Sequence, residues 1–193
     1  MMFQLYYTAL EAGLAALVLI PILLILNKIR FHNLKTTVFY FLFAVYLTGV
    51  YAVVGLPNIT YIRFELNLNL IPFAGMLSDL SGTLLNVVLF IPLGLFLPLL
   101  WKPFHGLRKT VLFGFCFSLV IELLQVFTFR ATDINDLITN TLGTFAGYWA
   151  GLMIGRLFPR LKCSGRESDL PLLAGCSAAV MFFLQPLIWK LIY

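Results

Sequence analysis

The sequence predicts an all-α fold, a polytopic bundle of about six transmembrane helices. Three observations lead there. The chain is 61% apolar and only 11% charged, with a mean hydropathy of +0.98. Its apolar residues fall in continuous runs long enough to cross a bilayer. Its Lys and Arg residues gather in alternate connections between those runs. A soluble core built from 193 residues could not hide so much apolar surface, whereas lipid solvates it directly.

About 20 apolar residues span the hydrocarbon as a helix. Six stretches are suited to this: 4–26, 37–55, 83–101, 110–128, 136–155 and 170–190. Unbroken apolar runs indicate helices, because barrel strands alternate lipid-facing and lumen-facing residues. The first run has no basic residue before it and no clear small-residue cleavage site, so it reads as a retained helix. Residues 1–193 are expected to form a single integral-membrane domain.

Orientation follows the cytoplasmic excess of Lys and Arg. Loop 27–36 holds Lys28, Arg30 and Lys35; loop 102–109 holds Lys102, Arg108 and Lys109; loop 156–169 holds Arg156, Arg160, Lys162 and Arg166. Ten of the thirteen basic residues therefore share one side, leaving Arg63, Arg130 and Lys190 for the other. The three loops are expected in the cytoplasm and both termini outside. The net charge of +5 is thus a topology signal and requires no nucleic acid. Cys116 and Cys176 lie in spans and Cys163 in a cytoplasmic loop, so neither a structural disulfide nor a metal site is implied.

Most connections are short, but the outer segment 56–82 is not. Ile62, Phe64, Leu66, Leu68 and Leu70 alternate with Arg63, Glu65, Asn67 and Asn69, the period of an extended segment with one apolar face. That face can lie on the bilayer or across the bundle, or the segment can serve as a lid; Pro72 ends the run. Asn58-Ile59-Thr60 fits a glycosylation sequon, a short and weak pattern. The fifth span carries Gly143, Gly147, Gly151 and Gly155 at four-residue intervals. Such a stripe removes side-chain bulk from one face and lets a helix approach closely. Another span or another copy of the chain, giving a homo-oligomer, would fit it.

The polar residues of the spans cluster at one depth. Glu122 lies about 18 Å along the fourth span, in its outer half, and Gln125 shares its face. A carboxyl group there must be protonated, paired with a cation or reached by water. Arg130, at the helix end, is the expected partner. Asp133 suits an N-cap of the fifth span. Asp136 shares a face with Asn140, which lies inside the membrane, as does Asn86 near the outer end of the third span. Glu11, about 12 Å into the first span, reaches a similar depth. Convergence of several helices at one level is the membrane form of a polar pocket, although the same residues could simply bind the helices together.

These residues also carry a resemblance. Asn69-Leu70-Ile71-Pro72-Phe73, Asn86 through Phe90-Ile91-Pro92-Leu93-Gly94, and Ser118-x-x-Ile121-Glu122-x-x-Gln125 resemble the VanZ-like family. So does Arg130-x-x-Asp133-x-x-Asp136-x-x-x-Asn140-Thr141-x-Gly143, followed by Gly147. The match covers about residues 30–155, the VanZ-like core, and leaves Glu11 outside its motifs. It implies a bacterial envelope protein, in a family whose namesake is associated with teicoplanin resistance and most of whose members have no assigned activity.

Three functions fit these residues. The first is a membrane module binding an envelope lipid, a lipid-linked precursor or a lipoglycopeptide antibiotic through Asn86, Glu122, Gln125, Arg130, Asp133, Asp136 and Asn140. The second is an intramembrane enzyme with a protonated Glu122 and an ionised Asp136 as acid and base, or with Mg²⁺ or Ca²⁺ held by the carboxylates and Asn140. No nucleophile motif is present, and His32 and His105 fall in cytoplasmic loops. The third is a small flippase, for which the inner half offers few polar groups. Binding is the favoured expectation, with no cofactor.

Overall fold

The computed structural model describes the backbone of residues 2–74, 76, 78–128 and 130–192, with side chains except at 2–9, 189, 191 and 192. Six long helices make up most of it: α1 (Met2–Leu26), α2 (Leu34–Val54), α3 (Leu80–Leu100), α4 (Leu107–Gln125), α5 (Ile134–Leu157) and α6 (Asp169–Ile192). The chain is an all-α membrane bundle. Four described helical stretches are long and apolar enough to cross a membrane: Leu10–Phe31, Leu34–Val54, Leu80–Leu100 and Asp169–Ile188. α4 and α5 stand outside that group. Arg108, Lys109 and Glu122 lie in α4, and Asn, Asp, Thr and Gly dilute the hydropathy of α5.

The chain divides into two compact units, one of Met1–Ile62 with Arg166–Tyr193 and the other of Arg63–Gly165. In the first, α1 passes through a π-helical turn (Asn27–Phe31) that ends at His32 in the left-handed region, with φ 51°. Asn33 then caps α2, accepting the Thr36 N–H at 3.2 Å. The unit is tied at one end by buried Asp169. Its carboxylate accepts Arg30 Nε at 2.7 Å, the Tyr40 hydroxyl at 2.9 Å and the Arg166 N–H at 3.2 Å. Arg30 also donates to Ser168 Oγ at 2.7 Å. A buried carboxylate is tolerated when donors surround it in this way. Elsewhere in the unit Gln185 links Asn58, whose amide it accepts at 3.3 Å, to buried Glu11, to which it donates at 3.5 Å. Asn58 Oδ1 also accepts the N–H and hydroxyl of Thr60, so the sequon residues form an Asx turn.

The second unit is organised by α3 against α5. A methyl group at Gly143 would collide with the Val87 carbonyl, and one at Gly147 with the Ile91 carbonyl; at Gly151 it would stand 2.6 Å from the Leu95 oxygen. The partners advance together, so α3 and α5 run parallel with backbones in contact. Gly94 of α3 returns the arrangement against the Thr144 carbonyl, and Gly114 of α4 abuts the Thr144 side chain. The glycine stripe is therefore filled by a span of the same chain. Gly155 ends the row against Lys162 and Leu99. Pro92 and Pro98 lie within α3, where a proline removes a ladder hydrogen bond that membrane helices tolerate through their neighbours. The three cysteines are free.

Two outcomes test this packing. Gly147→Leu should destabilise the purified protein by about 3 kcal/mol, because the obstacle is backbone and cannot move aside. Gly49→Ala, which meets nothing within 4 Å, should leave its thermal midpoint in detergent nearly unchanged. In the first unit, Arg30→Ala should lower that midpoint more than Tyr40→Phe does, since only the former strips a charge from buried Asp169.

Candidate functional site

Parallel pairing brings the N-terminal ends of α3 and α5 together, and antiparallel α4 delivers its C-terminal end to the same level. The polar residues of this unit meet there. At the end of α4, Thr128 donates its N–H and hydroxyl, each at 2.9 Å, to the Gln125 carbonyl. The chain then turns and enters the two-residue strand β2 (Thr132–Asp133), paired in parallel with β1 (Leu68–Asn69). Asp133 ends this strand and caps α5, accepting the Asn135 N–H at 2.8 Å.

Glu122 is 3% exposed. Its Oε2 accepts the Asp133 N–H at 2.9 Å, and its backbone carbonyl accepts the Thr132 hydroxyl at 3.0 Å. Glu122 thus fastens the end of α4 to the strand that starts α5. Asp133 in turn accepts the Asn69 side-chain amide at 2.9 Å. Asp136, half-buried in the first turn of α5, accepts the Asn86 amide of α3 at 2.6 Å. Asn140 lies deeper and buried; its Nδ2 donates to Ser118 Oγ of α4 at 2.9 Å. Its Oδ1 has no hydrogen-bond partner among the described residues, and a buried acceptor in that state is suited to a water or a ligand donor.

Arg130 is exposed, and its N–H donates to Thr128 Oγ1 at 3.3 Å. Its guanidinium lies near enough to attract both Glu122 and Asp136. Gln125 is buried at the end of α4. Asn86, Glu122, Gln125, Arg130, Asp133, Asp136 and Asn140 therefore all sit at one end of α3, α4 and α5. Glu11 belongs to the other unit. His105 ends the 3-10 turn Lys102–His105 beyond the opposite end of α3, where its carbonyl accepts the Tyr148 hydroxyl at 2.7 Å. Among the described residues no group of three His, Cys, Asp or Glu side chains is placed to hold a metal ion.

Sequence reasoning missed Asn135. This buried side chain accepts the Phe73 N–H at 2.6 Å and donates to the Ala74 carbonyl at 2.9 Å. It holds the turn after Pro72 in place, with Phe73 in the left-handed region at φ 64°, which is costly for a bulky residue. No periodicity marks a residue that grips backbone some sixty positions away. Ser118 and Asn69 were visible only within family-like motifs, without partners.

A family model described as VanZ/LLP1 matches residues 31–155. The chain belongs to the VanZ/LLP1 family. Protein VanZ of Enterococcus faecium is 42% identical over 82 residues, which are 42% of this chain and 50% of that relative. The matched segment thus spans about half the length of that curated protein. No solved structure matches the chain. The residues matched to the VanZ/LLP1 family include α2 through most of α5, and so every member of the polar cluster.

The Asn86–Asp136 contact can be tested by exchange. Asn86→Asp should destabilise the protein by about 2 kcal/mol through facing carboxylates, and Asp136→Asn should cost less. Combining the two restores one amide and one carboxylate and should recover most of the loss in thermal midpoint. Separately, Asn135→Ala should speed hydrogen exchange at the Phe73 amide while leaving amides in the middle of α5 protected.

Proposed function

We propose that the chain crosses the membrane six times, with both termini outside and loops 27–36, 102–109 and 156–169 in the cytoplasm. The basic residues of those loops support this orientation, and it directs the Asn86 end of the second unit to the outer leaflet. α4 and α5 cross despite their polar residues because Glu122, Asp136 and the Asn140 amide each meet a partner inside the unit.

The site then binds an amphipathic envelope lipid, a lipid-linked precursor or a lipoglycopeptide antibiotic, as a teicoplanin-type resistance protein would. The observation that carries the reading is the pairing of the acids. Glu122 is engaged by the Asp133 N–H, Asp133 by Asn69 and Asn135, and Asp136 by Asn86. These donors temper the repulsion that the carboxylates would exert on an anionic headgroup. Exposed Arg130 supplies paired N–H donors suited to phosphate or carboxylate. The buried Asn140 oxygen adds an acceptor for an amide or hydroxyl.

The test is binding of a polyprenyl pyrophosphate, and of teicoplanin, to the full chain in nanodiscs. Arg130→Ala should weaken binding about tenfold, equivalent to ~1.4 kcal/mol. Equal binding by both proteins would remove Arg130 from the site, and binding of neither compound would sink the reading.

A further inference from the structure

The alternating segment before α3 has an apolar face that the described residues of its own unit leave uncovered. Phe64 is 63% exposed, Leu66 65%, Leu70 61% and Phe73 70%, with Leu68 also exposed. A solvated loop has no reason to repeat large apolar residues at every second position, and exposed apolar surface of this extent marks an interaction face. The segment is also held in a fixed orientation. The Arg63 N–H donates to the Phe127 carbonyl at 3.0 Å and the Glu65 N–H to the Val126 carbonyl at 2.9 Å, while the Asn67 carbonyl accepts the Thr132 N–H at 2.9 Å. Its backbone is thereby tied to the end of α4 and to β2, and Leu68 and Asn69 pair with Thr132 and Asp133.

What covers this face is indicated by its continuity with α4. Leu112, Leu119, Leu123 and Phe127 are exposed at helical spacing along α4 and just past its end, the stripe that a membrane helix turns to lipid. The Phe64 ring lies 5.9 Å from the Phe127 ring, centroid to centroid. The apolar face of the segment therefore extends the lipid-facing stripe of α4 beyond the helix end. Amphipathic structure at that level, with alternate backbone groups bonded to the end of α4 and to β2, suits the boundary between acyl chains and headgroups.

We propose that residues 64–73 form a seat on the lipid bilayer, with Phe64, Leu66, Leu68, Leu70 and Phe73 in the acyl–headgroup boundary and Arg63, Glu65 and Asn67 facing water. The seat goes beyond the binding function and does not depend on it. It fixes the depth of the polar cluster, because Asn69 in the same strand donates to Asp133. A ligand held in the leaflet would then meet the cluster from the side, without leaving the bilayer.

Nitroxide scanning tests the seat with no ligand present. The full chain, with Cys116, Cys163 and Cys176 replaced by Ser, is placed in nanodiscs of phosphatidylcholine and phosphatidylglycerol and labelled at each position from Arg63 to Leu68. Collision with oxygen should peak at 64, 66 and 68, and collision with a water-soluble nickel chelate at 63, 65 and 67. Nickel access at every position would overturn the proposal in favour of a solvated loop. Shielding from both reagents would overturn it in favour of a protein interface. Photolabelling of the unmodified chain by a diazirine-bearing phospholipid guards against misfolded variants. Label should appear at both residues 64–70 and Leu119–Leu123; label at the helix alone would also overturn the seat.

Discussion

Backbone contact between α3 and α5 is the constraint on which the second unit depends. Lipid is as apolar as the helices, so there is little hydrophobic drive to pair them, and close van der Waals approach has to supply it. Gly143, Gly147 and Gly151 make that approach available, with the carbonyls of Val87, Ile91 and Leu95 standing where side chains would otherwise be. Because the partners advance in step, the pairing sets direction as well as distance. Both N-terminal ends arrive at one level, and α4 returns antiparallel to them with Gly114 against the Thr144 side chain. The polar cluster is a consequence of that register.

Once assembled, the cluster is held by reciprocal satisfaction. Glu122 takes a backbone N–H from the start of α5, Asp133 takes one from Asn135 and an amide from Asn69, and Asp136 takes the Asn86 amide. In surroundings poor in water each of these groups would be expensive alone. Together they bind α3, α4, α5 and the preceding strand to one another while leaving Arg130 exposed. The proposed binding would use the same atoms that tie these elements together. The first unit answers the same difficulty differently at Asp169, a buried carboxylate that collects an ion pair, a tyrosine hydroxyl and a backbone N–H.

The helices were legible because their cause is local. An apolar run of a given length is helical in a bilayer wherever it occurs, so the boundaries of all six differ from the sequence expectation by only a few residues. Asp133 as a cap followed equally from its position before α5. The glycine stripe announced a close contact, yet the spacing applies to any small-faced partner, and α3 could be named only from the structure. The match of a VanZ/LLP1 model to residues 31–155 agrees with the resemblance seen in the motifs.

What the sequence determined by itself was the membrane class, the position of the helices, the family and the common depth of Asn86, Glu122, Asp136 and Asn140. The class, the helices and the depth follow from composition, run length and rise per residue, and the family from its resemblance in motifs such as Arg130-x-x-Asp133-x-x-Asp136. Only the tertiary structure decided that Glu122 receives the Asp133 N–H, that Asn86 meets Asp136, that Asn135 grips the turn at Phe73, and that the apolar side chains of residues 64–70 stand exposed among the described residues. The Asn86 and Asn135 contacts join residues fifty or more positions apart. Even the contact between Glu122 and Asp133, eleven positions apart, depends on how the chain turns after α4. A donor and an acceptor at such separations leave no periodic trace, because their meeting depends on helix register and on the path of the intervening chain.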